Sequence, residues 1–169
     1  NENTGDRIYT TQTTVPAAAI GGEPPTAPAV LNAATNVLED QPEHAISPGS
    51  IISIYGEGFA SHLPSPSTVP LSSERPLPLK TTLADLMVTF DGNPAPIFEI
   101  FRGEDLDKGF DQINAQLPWE VMAIPGKTTA SMVITSNGVS SEPRDVWIAP
   151  ASPGIFSFLF GPGPAIVQN

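Results

Sequence analysis

Cysteine is absent from this chain, so neither a disulfide staple nor a thiolate metal site can form. Basic residues are scarce: seven Lys and Arg stand against 18 Asp and Glu, for a net charge of −11. A surface of that sign repels a phosphate backbone, which argues against nucleic acid as a partner. Cations, or a cell surface bridged by cations, suit it better. Charged residues of both signs make up only 15% of the chain, below the roughly one quarter usual for soluble domains. The remaining polar surface therefore falls to Ser, Thr, Asn and Gln, as in many secreted β proteins. No apolar run approaches the about 20 residues that a membrane-spanning helix needs. Histidine is nearly missing too, with only His44 and His62. Neither has a second His at ligand spacing, and both read as surface residues. No Gly-x-Ser-x-Gly elbow is present to hold a nucleophile.

Turn formers are abundant, with 20 Pro and 14 Gly. That density suits many short strands and leaves little room for long helices. With 40% hydrophobic residues, the chain can still build a core. The most informative stretch is Ile46-Ser-Pro-Gly-Ser-Ile-Ile-Ser-Ile-Tyr-Gly-Glu-Gly-Phe-Ala60. A Pro-Gly turn feeds a β-branched strand, which stops at a Gly-x-Gly kink before a core-type Phe. A first short strand or turn is expected at 30–34, and further strands at 86–90, 97–101, 112–117, 131–135 and 146–149. Asp91-Gly92 and Asn137-Gly138 are hairpin turn signals. Five prolines between 61 and 82 forbid a central strand there and mark a surface loop. Helix signal is confined to 32–39, enough for a turn or two. The spacing predicts an all-β, immunoglobulin-like sandwich over residues 30–150. An extended N-terminal arm covers 1–29 and a strand-like C-terminal extension covers 151–169, a first strand for a second or neighbouring domain. A chain starting at Asn1 suits a removed signal peptide or a trimmed fragment.

Three segments carry a family resemblance: Ala45–Phe59, Asp111-Gln-Ile-Asn-Ala-Gln-Leu-Pro-Trp-Glu120, and Val133-Ile-Thr-Ser-Asn-Gly-Val-Ser-Ser-Glu-Pro143. Together they resemble the extracellular domain family found near the C-termini of many acidobacterial, Solibacter-type proteins. That family is related to the IPT/TIG immunoglobulin-like modules. The resemblance implies secretion and an immunoglobulin-like sandwich, and it supplies no catalytic residues. The middle segment is the most specific, because Gln-Ile-Asn-x-Gln-x-Pro-Trp is not a generic strand pattern.

Candidates for chemistry are few. Asp105, Asp107 and Asp111 alternate as carboxylates that could converge on calcium through oxygen. The full calcium loop would need acids where Gly109 and Gln116 stand. Trp147 alternates with Val146 and Ile148, so it is expected to face outward, where its ring could stack on a sugar. Trp119, next to Pro118, is expected in the core. Gly56-Glu57-Gly58 lacks the third glycine of a dinucleotide loop and reads as a bulge or sharp turn.

The expected function is a non-catalytic extracellular structural module. It would associate with identical subunits by strand addition, in which an extended arm pairs with an open sheet edge. The residues carrying this are Ile8, Thr10, Thr11, Thr13 and Val15 at one end, and Ala165, Ile166 and Val167 at the other. Head-to-tail contact of this kind builds a filament. The alternative is a carbohydrate-binding or adhesion module of a secreted surface protein, using Trp147, Tyr55 or Phe101. No cofactor is expected apart from the calcium candidate.

Overall fold

A computed structural model of the chain describes residues 23–60, 62–63, 71–72, 77–103, 109–122, 125–157 and 164–166. In chain order the strands are β1 (Thr26–Asn32), β2 (Ile51–Glu57), β3 (Leu71–Ser72), β4 (Thr82–Leu83), β5 (Leu86–Phe90) and β6 (Asn93–Pro94). They continue as β7 (Ile97–Phe101), β8 (Asp111–Gln116), β9 (Thr129–Ser136), β10 (Val139–Ser140) and β11 (Arg144–Trp147). A 3-10 turn at Trp119–Met122 follows β8. No helix among the described residues is long and apolar enough to cross a membrane.

The strands form two antiparallel sheets, so the molecule is an all-β sandwich. One sheet has five strands in the order β1-β2-β8-β7-β3. The other runs β10-β9-β5-β4, with β11 also on β9 and β6 folded back on β5. Alternation decides what lies between them. From the first sheet come Val30, Ile52, Ile54, Ile100 and Ile113; from the second come Leu86, Val88, Phe90, Met132 and Ile134. Ile46, Phe59 and Leu117 fill the ends of this single cluster.

Three two-residue turns close tight hairpins, at Ala84-Asp85, Asp91-Gly92 and Asn137-Gly138. All six residues have positive φ, between 48° and 79°, the type I′ geometry that matches strand twist. Asp-Gly and Asn-Gly announce themselves in the sequence; Ala84-Asp85 does not, since neither residue favours the left-handed region as glycine does. Gly56, opposite the irregular pairing between Thr26 and Ala29, is where the kink was expected. A Cβ there would meet the Thr26 carbonyl oxygen at 1.9 Å, so only glycine lets β1 pass. The β7–β8 register also shifts between Ile97 and Glu99, and another bulge separates β10 from β11. Ser141 fills it, donating its N–H to Ile134 O at 2.8 Å and accepting the Ile134 N–H on its hydroxyl at 3.0 Å.

The sheets are joined along one side. Ile46 pairs in parallel with Ile148, through Ile46 N–H to Trp147 O (3.0 Å) and Ala149 N–H to Ile46 O (2.9 Å). On the same side the β1 edge is blocked. Glu39 accepts the Val30 N–H at 3.0 Å and pairs with Arg144, which also donates to Pro28 O at 3.0 Å. Asn36 N–H covers Asn32 O at 2.9 Å.

The structure places the first strand at Thr26, inside the segment expected to be an arm. Pro28 is tolerated there because an edge strand needs no outward N–H. Turns, not helix, occupy 33–35 and 39–40. Within 61–82 the described strands are the two-residue β3 and β4, both at sheet margins, in keeping with the proline density.

Candidate functional site

Asp111 opens β8, and its carboxylate is committed to the backbone. Its Oδ1 accepts the Gly103 N–H at 2.9 Å and its Oδ2 accepts the Ala60 N–H at 3.0 Å. Gly103 is held so close to the Phe110 backbone that a Cβ would lie 2.6 Å from it. The acid therefore pins two chain passages together at one end of the sandwich. Asp105 and Asp107 lie outside the described residues. Among the described residues no group of three His, Cys, Asp or Glu stands close enough to hold a metal.

Trp147 points outward from the second sheet and is 54% exposed. The His44 ring meets it edge-on at a centroid distance of 6.1 Å. Tyr55 and Phe101 lie on the other sheet, so the three aromatic candidates do not share a surface. Trp119 corrects an expectation: it is 69% exposed, not core. Its indole lies over Gly49, where an added Cβ would sit 2.2 Å from Cζ2. The Pro48-Gly49 turn is otherwise docked on the end of β8 by Gly49 N–H to Leu117 O (2.8 Å) and Leu117 N–H to Ser50 O (3.0 Å). The distinctive Ser-Pro-Gly and Gln-Leu-Pro-Trp motifs thus meet in space. His62 is a half-buried brace and not a free surface histidine, with Nε2 2.8 Å from Ala84 O and Nδ1 3.3 Å from Ser136 Oγ.

Of the residues named for strand addition, Ile8, Thr10, Thr11, Thr13, Val15 and Val167 lie outside the described residues. Ala165 and Ile166 sit in a short ribbon with the segment before them. Ser157 pairs antiparallel with Ala165, and Ile166 donates to Phe156 O at 2.7 Å. Because that bond flanks the Ser157–Ala165 pair, the N–H and C=O of both residues turn to the ribbon's outer edges. Ile155, Phe156 and Ile166 are 69%, 43% and 52% exposed.

The feature that sequence reasoning did not assemble is the outer face of the five-stranded sheet. Ile113 and Ala115 of β8 are buried, so Gln112, Asn114 and Gln116 stand on the opposite face. Register sets Tyr55 and Phe101 on either side of Gln112, and Ser53 and Glu99 on either side of Asn114. Asn114 Oδ1 accepts from Ser53 Oγ at 3.0 Å and from Gln112 Nε2 at 2.9 Å. Gln116 Nε2 donates to Gly49 O at 2.9 Å. The signal was present as the polar–apolar alternation of 112–116, but the neighbours came only with the pairing.

Two shallow cavities flank these features. One, of about 430 Å³, lies between residues 35–45 and 149–153 and is lined by Val37, Glu43, Ala45 and Pro153 among others. The other, of about 240 Å³, lies beside Asp111, Phe110 and Arg102. The first is walled mainly by small side chains, and in the second Arg102 donates to Leu63 O at 2.6 Å. No family model, curated protein or solved structure matches this chain.

Proposed function

We propose that this chain is a non-catalytic structural module of an extracellular assembly, an immunoglobulin-like sandwich that joins identical copies by strand addition. The observation that carries this reading is the C-terminal ribbon. A two-stranded ribbon is marginal on its own in water, and this one exposes Ile155, Phe156 and Ile166 while turning backbone groups of Ser157 and Ala165 outward. A third strand along its edge would satisfy those groups and cover the apolar side chains. Residues 8–15 of a neighbouring copy have the composition for that strand, with Ile8, Thr10, Thr11, Thr13 and Val15 as β-favouring side chains. The β1 edge is a poor acceptor because Glu39, Arg144 and Asn36 occupy its outward groups. Joining one end of each copy to the other end of the next is a heterologous contact and gives a filament.

The parallel pairing of Ile46 with Ile148, which ties the entry of one sheet to the exit of the other, supports the immunoglobulin-like relationship. Low charge density and the motif resemblance support export. The test is size-exclusion chromatography with negative-stain imaging of the full chain, of a version lacking residues 1–20, and of Phe156→Glu. The full chain is expected to polymerise and both variants to stay monomeric. A full chain that remains monomeric at every concentration ends this reading.

A further inference from the structure

We infer that the outer face of the five-stranded sheet, along β8, binds a neutral polysaccharide chain. The inference stands on a surface separate from the ribbon and is independent of assembly. Its basis is what the three amides have left to offer. Asn114 uses its oxygen for Ser53 and Gln112, so its two N–H donors point elsewhere. Gln112 and Gln116 each spend one N–H on an internal bond, so each presents its oxygen and its second N–H. None of these outward groups meets a protein partner among the described residues. Donors and acceptors therefore mix along the strand, on side chains rooted at intervals of about 6.8 Å. The internal bonds fix the amides in place, so little rotamer entropy is lost when a ligand arrives.

The chemistry of that row selects its partner. Sugar hydroxyls donate and accept equally, as any hydroxyl does, and so match a mixed row of neutral amides. Tyr55 and Phe101 flank Gln112 as half-buried rings, Tyr55 meeting Phe110 edge-on at 5.5 Å, and this aromatic cluster gives apolar surface for the C–H groups of a sugar ring. A net charge of −11 repels polyanionic glycans and leaves neutral ones. An extended peptide is disfavoured, because β8 is paired on both sides and offers no main-chain groups on this face. Toward β1 the row is closed, with Leu31 and Ser53 only 6% and 4% exposed. The accessible part of the platform thus lies over β8 and β7, where Gln112, Asn114, Gln116, Phe101 and the single acid Glu99 are half-buried.

Affinity electrophoresis of the full chain, in native gels containing hydroxyethyl cellulose, xylan, laminarin or galactomannan, tests this. At least one polymer is expected to retard the protein. Asn114→Asp keeps the oxygen that Ser53 and Gln112 bond and replaces the outward donors with a charged acceptor beside Glu99, so its retardation is read against its own mobility in a polymer-free gel. It should weaken retardation about tenfold, the equivalent of one lost hydrogen bond, with its thermal midpoint little changed. Tyr55→Ala should weaken it as well, while Trp147→Ala on the opposite sheet should migrate like wild type. Retardation by none of the four polymers overturns the inference. So does an Asn114→Asp variant that binds normally, a loss that follows Trp147, or binding on a peptide array in place of the gels.

Discussion

Asp111 shows how a carboxylate that alternates with other acids can serve the backbone. Both of its oxygens receive an N–H, from Ala60 and Gly103, passages far apart in the chain. Asp111→Ala should cost about 2 kcal/mol in urea denaturation, because two partly buried donors lose their acceptor. The loss should be equal in EDTA and in millimolar calcium. A loss that appears only with calcium would return Asp111 to the role of a ligand. At this scale the sequence was a partial guide. Alternation with Val146 and Ile148 located Trp147 on the outside. Trp119 was misread because its resting place is Gly49, a contact with no trace in the residues around Pro118. The slot exists because Gly49 has φ +78° and carries no Cβ.

The strands were legible wherever alternation and a glycine turn acted together. β5 and β7 lie where their patterns put them, and β9 turns at Asn137-Gly138 into β10. β1 was legible only in part, since Pro28 hides a strand that survives by lying at an edge. The Ala84-Asp85 turn was not legible, because the pairing of Leu83 with Leu86 forces a backbone its residues do not advertise. Protection of the β1 edge depends on a loop residue, Glu39, which sequence alone could not link to Arg144. The pair is partly exposed, with side-chain accessibilities of 28% and 34%, so the ion pair itself contributes little. Uncovering the Val30 N–H matters more. Glu39→Ala should lower stability by only about 1 kcal/mol. It should still raise aggregation on gentle heating, followed by light scattering, because an open edge recruits other chains. Unchanged scattering would show that Pro28, Arg144 and Asn36 guard the edge without Glu39.

Over the whole molecule, residues from both sheets belong to one core, so loosening either should loosen both. Ile113, fully buried at the centre of β8, touches this shared interior. Ile113→Ala is expected to cost about 3 kcal/mol, from lost transfer energy and the cavity left behind. Unfolding should remain a single transition by both circular dichroism and tryptophan fluorescence. Separate midpoints for the two probes would mean that the sheets come apart independently. The outer faces obey no comparable rule. Amides share one with Tyr55, Phe101 and Glu99, and the other mixes Ser, Thr and Trp147 with Met87 and Val133, which is why the sequence spoke clearly about the interior and faintly about recognition.

The parallel junction of Ile46 with Ile148 has a mechanical consequence. Tension drawing residue 46 toward the N-terminus and residue 148 toward the C-terminus slides the two segments past each other. The Ile46–Trp147 and Ala149–Ile46 bonds then share the load and must rupture together, whereas a hairpin peeled from its end yields one rung at a time. Under pulling, the junction would act as a shear clamp, holding the two layers together until both bonds give way at once.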